Sequence, residues 1–137
     1  MAQRVFIDAS AYVALARLDD ENHQAAVAII ADLERQRARF YTTYFAIAEA
    51  HALLLRYLGI RPAQRFLQGL DASQITTIVH VECADVEAAK MLLYRYDDKD
   101  FSLADAISFT IMTRLDLKTA FAFDRHFGQY GWQVLRP

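Results

Sequence analysis

The 137-residue sequence predicts an α/β domain of three layers, in which helices cover both faces of a mainly parallel sheet of four to five strands. Short apolar runs that suit buried strands alternate along the chain with longer segments whose apolar residues recur at helical spacing. The sequence contains no internal repeat and no linker rich in Pro, Gly or Ser. We therefore expect residues 1–137 to form a single domain.

The first strand is predicted at residues 5–7, a continuous apolar run that suits burial on both faces of a sheet. Ser10 is a candidate N-cap for a helix over residues 11–18. Apolar residues at helical spacing then predict a second helix over residues 23–36. This order, a strand followed by helices, is typical of the crossover units of α/β domains.

The middle of the chain repeats this pattern. Residues 40–43 predict the second strand, and residues 45–57 predict the helix after it, with Gly59 as its C-terminal stop. Pro62 suits the first turn of a further helix that continues to about residue 70.

The last part of the chain supplies the remaining strands. The β-branched run at residues 75–79 predicts a third strand, and a helix is expected over residues 84–96. An acidic loop precedes a helix over residues 103–115. Residues 119–123 predict the fourth strand, and residues 132–135 a short fifth strand at an edge.

The composition narrows the class of protein. With 55% hydrophobic and 23% charged residues, the chain is expected to be globular. No apolar stretch approaches the roughly 20 residues needed to cross a bilayer, and Cys83 is the single cysteine. We therefore expect a cytoplasmic protein without membrane contact. Twelve arginines against three lysines suit phosphate contacts, but the net charge of −2 does not by itself indicate nucleic acid.

Four acidic residues stand among apolar neighbours, where an unpaired carboxylate is costly. They are Asp8, Glu49, Asp105 and Asp124. Two of them, Asp8 and Asp124, follow predicted strands, and the carboxyl ends of parallel strands form the edge at which α/β sheets bind ligands. This placement makes a shared site possible.

Three of the four acids also have a simpler interpretation. Asp8 could end a strand and cap the following turn, and Asp105 stands three residues after Ser102, the spacing of a capping box. Asp124 could cap a short turn that begins with Arg125. A capping role does not explain Glu49, because this residue shares a helix face with apolar residues. Its carboxylate is expected to point at a metal or a remote arginine.

If the four carboxylates meet, they need compensation. Two unit charges about 4 Å apart repel by roughly 4 kcal/mol at an effective dielectric constant of about 20, so some of them must be protonated or bind cations. Oxygen ligands without cysteine or histidine favour Mg²⁺ or Mn²⁺ over Zn²⁺. Magnesium held by carboxylates suits the chemistry of phosphodiesters.

Four motifs together resemble the PIN-domain nucleases, and more narrowly the VapC-type toxins of toxin–antitoxin pairs. They are Asp8-Ala9-Ser10 after the first strand, Thr42-Thr43 ahead of Glu49, SLADAI at residues 102–107 and FDRHF at residues 123–127. Their order and spacing match the family, and the resemblance extends from Val5 to about Leu135. It implies a three-layer PIN-like fold.

The resemblance implies a magnesium-dependent ribonuclease, with Mn²⁺ as a second possible cofactor. Asp8, Glu49, Asp105 and Asp124 would bind the metal, with Ser10 beside it, and RNA would be cut to leave a 5′-phosphate and a 3′-hydroxyl. It also implies an RNA substrate, a cognate antitoxin and a homodimer. A housekeeping PIN-type nuclease for RNA processing, a non-catalytic PIN-like module that binds RNA or a partner, and a phosphotransfer domain are the alternatives.

Two departures from the family pattern concern the last motif. Ala122 stands where many relatives carry Thr or Ser, and His126 where some carry another acid, so a second metal is expected to bind more weakly than the first. His126 follows no metal-ligand spacing and is expected at the surface or in a hydrogen bond. Asp100 is expected to reach the metal through water, and Arg125 to contact phosphate or a loop carboxylate.

Overall fold

A computed structural model describes residues 2–137. Its centre is a five-stranded sheet with the order β3-β2-β1-β4-β5, in which each pair of neighbouring strands is parallel. The strands are β1 (Arg4–Ile7), β2 (Arg39–Thr43), β3 (Thr76–Val79), β4 (Thr119–Phe121) and β5 (Gln133–Val134). The predicted parallel α/β fold is confirmed.

Within the described residues, seven helices connect and cover the strands. They are α1 (Ala9–Ala16), α2 (His23–Arg35), α3 (Tyr44–Leu58), α4 (Ile60–Ala72), α5 (Cys83–Arg95), α6 (Leu103–Arg114) and α7 (Arg125–Tyr130). The alternation of side chains along β1 shows how the layers form. Val5 and Ile7 pack in the apolar cluster with α1 and α2, whereas Phe6 packs in the opposite cluster with α5, α6 and α7.

Helices α3 and α4 form a hairpin that packs against α1. Ala50 and Leu54 of α3 meet Ala9 and Val13 of α1 and Ala63 of α4 in a third apolar cluster. Between the two helices, Gly59 has a φ of 93°, a left-handed conformation that favours glycine and turns the chain.

Of two predicted helix starts, one is confirmed and one is corrected. Helix α4 begins at Ile60, directly after Gly59, so Pro62 lies in its first turn as predicted. Helix α1 begins at Ala9 with Asp8 as its N-cap, so the prediction that Ser10 caps this helix is wrong. The reason is that the Asp8 carboxylate accepts the Ser10 backbone N–H at 3.1 Å, which places the cap two residues earlier.

The end of β4 also differs from the prediction. The strand ends at Phe121, not at residue 123, and a six-residue helix, α7, begins at Arg125. Asp124 caps that helix by accepting the backbone N–H of His126 at 2.9 Å. Over residues 2–137, none of the helices combines the length and apolar character needed to span a membrane.

Candidate active site

The four acids singled out in the sequence lie at the carboxyl-end edge of the sheet, close to the starts of four helices. Asp8 and Asp124 are the N-caps of α1 and α7, and Asp105 is the third residue of α6. Glu49 lies in the second turn of α3. The three simpler interpretations are therefore correct as capping roles, and the same backbone geometry brings the carboxylates to one edge.

Asp8 is a buried carboxylate held in place by Ser10. One of its oxygens, Oδ2, accepts both the backbone N–H of Ser10 and the Ser10 hydroxyl, the latter at 2.6 Å. The Ser10 hydroxyl oxygen in turn accepts the backbone N–H of Phe123 at 2.9 Å, which ties the start of α1 to the segment before Asp124. Ser10 thus positions Asp8 relative to Asp124.

The pKa of Asp8 rises from 3.8 to about 6. Burial is the largest cause, and the negative charges of Asp124 and Asp105 add to it, while the hydrogen bonds from Ser10 act in the opposite direction. The burial argument made for this residue from the sequence is therefore confirmed. At neutral pH the ionised form of this carboxylate is destabilised by burial and by the neighbouring negative charges, and a nearby cation would stabilise it.

Asp105 forms the predicted capping box with Ser102. Its Oδ2 accepts the Ser102 backbone N–H at 3.0 Å, while the Ser102 hydroxyl accepts the backbone N–H of Asp105 at 3.0 Å. The side chain is buried, and burial together with the charge of Asp124 raises its pKa against the opposing effect of the Ser102 hydrogen bond. The capping bond leaves the carboxylate facing Asp124 and His126.

His126 is a member of this cluster that the sequence interpretation missed. Its Nδ1 lies 2.8 Å from Asp105 Oδ2 and 3.1 Å from Asp124 Oδ1, and its Nε2 lies 2.9 Å from Asp100 Oδ1. Burial lowers the pKa of His126, but its three carboxylate neighbours outweigh that effect and raise the pKa overall. The signal in the sequence was that His126 stands where some members of the family carry another acid.

Glu49 lies beside the cluster and is exposed, although its neighbours along the helix are apolar. Partial desolvation raises its pKa first, followed by the charges of Asp8, Asp105 and Asp124. Instead of an arginine, the carboxylate faces other acids across a cavity of about 250 Å³ that is also lined by Asp8 and Asp124. The cavity walls include two further polar residues that the sequence did not indicate, namely Asp20 and Asn22.

Asp100 and Arg125 lie at the exposed rim of the cluster. Their side chains form an ion pair at 3.2 Å, which agrees with the interpretation of Arg125 as a partner of a loop carboxylate. Asp100 also accepts a hydrogen bond from His126, which is the first cause of its lowered pKa. The residue therefore reaches the cluster through a histidine, where the sequence suggested a water molecule.

The donor set of this edge fits a divalent cation. One ligand atom each of Asp105, Asp124 and His126 lie within 4.8 Å of one another, and Asp8 and Glu49 flank the adjoining cavity. Carboxylate-rich sites select hard cations such as Mg²⁺ and Mn²⁺. The raised pKa values of Asp8 and Asp105 indicate negative charge that the protein itself compensates only in part. A larger cavity, about 580 Å³, lies by Tyr12 and Phe66 and is lined by none of the four acids.

A comparison with known protein families identifies the family of the chain that carries this acidic edge. The family model described as the PIN domain matches residues 5–133. The chain belongs to the PIN-domain family. PIN domains are nucleases, so the prediction that this protein is an enzyme of that class is confirmed.

Similarity to named proteins points to the VapC branch of the PIN family. The chain is 32% identical over 136 residues to the 23S rRNA-specific endonuclease VapC20 of two Mycobacterium tuberculosis strains, covering 97% of this chain and 98% of the relative. The crystal structure of M. tuberculosis VapC20, described as a Sarcin-Ricin loop cleaving toxin, superimposes with a TM-score of 0.89 and 28% identity, over 97% of this chain and 99% of that one. The predicted resemblance to VapC-type PIN proteins is confirmed.

A more distant structure shares the fold. FitAcB from Neisseria gonorrhoeae matches with a TM-score of 0.63 and 16% identity, covering 96% of both chains. At this level of identity the likeness concerns the fold alone.

Proposed function

We propose that this PIN-domain protein is the toxin of a toxin–antitoxin pair, a metal-dependent endoribonuclease whose residues 1–137 act as a single nuclease domain. The observation that carries the proposal is the convergence of Asp8, Glu49, Asp105 and Asp124 at one edge of the sheet. Among residues 2–137, no arginine or lysine lines the cavity beside them. The 32% identity to an endonuclease supports it.

The four carboxylates are proposed to hold Mg²⁺, or Mn²⁺, at this edge. A divalent cation there supplies Lewis-acid chemistry, since it lowers the pKa of water and offsets charge on the phosphodiester. Ser10 orients Asp8 through its 2.6 Å hydrogen bond, and Ser102 orients Asp105. Glu49 lines the cavity and is exposed, so it can contact an incoming RNA strand.

RNA is the proposed substrate, cut to a 5′-phosphate and a 3′-hydroxyl. VapC20 is named a 23S rRNA-specific endonuclease and its crystal structure is described as that of a Sarcin-Ricin loop cleaving toxin, so a Sarcin-Ricin loop is the first RNA to test with this chain. Loops of this kind expose unpaired bases and a distinctive backbone shape, which proteins can recognise. Action on cellular RNA agrees with the cytoplasmic location expected from the sequence. A homodimer and inhibition by a cognate antitoxin complete the proposal.

The nuclease assignment is tested with purified protein, a Sarcin-Ricin loop RNA and total cellular RNA. Mg²⁺-dependent cuts are expected, and mapping of the new 5′ ends identifies the site. Asp8→Asn and Asp105→Asn should each lower the cleavage rate by at least about a hundredfold, because each removes charge that holds the cation. Asp97→Asn, which changes an exposed acid on the loop before α6, is the matched control. Unchanged cleavage by both site variants would refute the assignment.

The toxin role is tested separately from the chemistry. Expression of the protein should arrest growth, and co-expression with the product of a small neighbouring reading frame should restore it. A nuclease that cleaves RNA in vitro but does not arrest growth would instead be a housekeeping enzyme of RNA processing.

A further inference from the structure

His126 lies within the acidic cluster, where its side chain can bind a cation. We propose that its Nδ1 is a ligand of the divalent cation together with Asp105 and Asp124, and that this nitrogen shifts the metal preference of the site toward Mn²⁺. Asp100 is the outer carboxylate that fixes the histidine ring. The inference rests on the proposed function, since it concerns the same cation.

The distances within the cluster suit a shared ion. Nδ1 of His126 lies 2.8 Å from Asp105 Oδ2 and 3.1 Å from Asp124 Oδ1. Neighbouring ligand atoms of one octahedral ion, each about 2.1 Å from it, lie about 3.0 Å apart. His126 Nδ1 therefore lies at the spacing of an adjacent ligand from each of the two carboxylate oxygens, and one ligand atom from each of the three residues lies within 4.8 Å of the others.

The other ring nitrogen explains which atom faces the cluster. Nε2 lies 2.9 Å from Asp100 Oδ1, and donation of its N–H to that carboxylate leaves the lone pair on Nδ1. Metal-binding histidines commonly show this pairing of the second ring nitrogen with a carboxylate. The ring is also held sterically, because Phe101 packs edge-on against it with the ring centroids 5.4 Å apart and the His126 side chain is only 14% exposed.

A lone pair that faces two carboxylate oxygens needs a positive charge between them. The two candidates are a proton, which would make His126 a bridging imidazolium, and a divalent cation. Carboxylate oxygens suit both Mg²⁺ and Mn²⁺, whereas an imidazole nitrogen is a softer ligand that disfavours the hard ion Mg²⁺ more than the transition-metal ion Mn²⁺. Since the acids at the neighbouring cavity, Asp8 and Glu49, offer oxygen alone, His126 is the residue that would give this site its metal preference.

The test measures the metal directly in the full-length protein. Mn²⁺ is added, its binding is followed by the loss of the free-ion electron paramagnetic resonance signal, and bound samples are examined by spin-echo modulation spectroscopy. Wild type should show ¹⁴N modulation from a coordinated imidazole. His126→Asp should bind Mn²⁺ without that modulation, and His51→Gln, which changes another histidine on α3, should retain it.

Affinity provides the second measurement. The ratio of the Mg²⁺ to the Mn²⁺ dissociation constant, determined by calorimetry at one pH, should fall about tenfold in His126→Asp, because an oxygen replaces the nitrogen ligand. Asp100→Ala should weaken Mn²⁺ binding about tenfold, the usual cost of losing an outer carboxylate. Asp97→Ala, on the same loop, should leave it unchanged.

The outcomes separate the two proposals. Mn²⁺ binding without ¹⁴N modulation in the wild type, or modulation that persists in His126→Asp, would overturn the role of His126 while the metal-dependent nuclease stands. Failure to bind either Mn²⁺ or Mg²⁺ would overturn both.

Discussion

Asp85 and Asp105 are two buried carboxylates in the same local setting, 5% and 7% exposed. Each is the third residue of a helix, α5 or α6, and each accepts the backbone N–H of its N-cap residue, Glu82 at 2.8 Å or Ser102 at 3.0 Å. Local sequence thus places both carboxylates by the same capping geometry.

Their distant partners differ. Arg114 donates from both Nε and Nη2 to the two oxygens of Asp85, at 3.0 and 2.9 Å, so that charge is compensated by the protein. Asp105 instead faces another acid, Asp124, and a histidine. A carboxylate whose charge the fold neutralises stabilises structure, whereas one surrounded by acids is available for a cation.

The largest expected difference between the two positions is in catalysis. Asp105→Asn should reduce RNA cleavage by at least about a hundredfold, because a neutral amide no longer helps to hold the cation. Asp85→Asn should keep the rate per folded molecule within about twofold, since the Arg114 pair lies outside the proposed machinery. Initial rates normalised to the folded fraction, measured by circular dichroism, decide this. Equal losses in both variants would remove the distinction.

Stability should show the reverse order. Arg114→Met leaves Asp85 buried without its cation, and breaking such a pair costs about 2 kcal/mol once the partial exposure of the arginine is allowed for. Asp105→Asn retains an oxygen that can accept the Ser102 N–H, so its unfolding free energy should change much less. Urea unfolding of both variants with a metal chelator present provides the comparison. A greater loss in Asp105→Asn would contradict it.

The pH dependence of stability is a finer test of the acidic region. The folded pKa of Asp8, about 6, lies above its ordinary value of 3.8, so the protonated form is favoured by folding. The contribution of Asp8 to the free energy of unfolding is therefore fully present below pH about 4. It is lost as the pH rises through about 6, and the total loss is about 3 kcal/mol. Asp8→Asn lacks this loss.

Without metal, the stability of Asp8→Asn relative to wild type should therefore increase between pH 4 and pH 7, most steeply near pH 5. Chemical unfolding at several pH values, with chelator present, measures this change. A constant difference between the two proteins across that range would mean that Asp8 ionises normally in the folded state.

The same contrast between local and distant partners explains what could be predicted from the sequence. The strands, their parallel arrangement and the positions of Asp8 and Asp124 after strands follow from apolar runs and chain order, which are local signals. His126 and Asp20 reach the site only through the tertiary packing of α7 and of the segment before α2. Local sequence patterns do not predict that packing. For Glu49 the local sequence left a metal and a remote arginine open, and only the packing that places it across a cavity from Asp8 and Asp124 favours the metal.

The smallest effect is expected at a second arginine–aspartate pair, Arg125 and Asp100, whose side chains are 69% and 72% exposed. Water already solvates both charges there, so Arg125→Ala should leave the midpoint of urea unfolding unchanged within error, in contrast to Arg114→Met. The ring of His126 should also keep its place, because its hydrogen bond to Asp100 and its packing against Phe101 do not involve the arginine. A clear loss of stability would mean that Arg125 is a structural partner of the cluster like Arg114. Normal stability with weaker RNA binding would instead favour a phosphate contact, so this one variant separates a charge that supports the fold from a charge left free for a ligand.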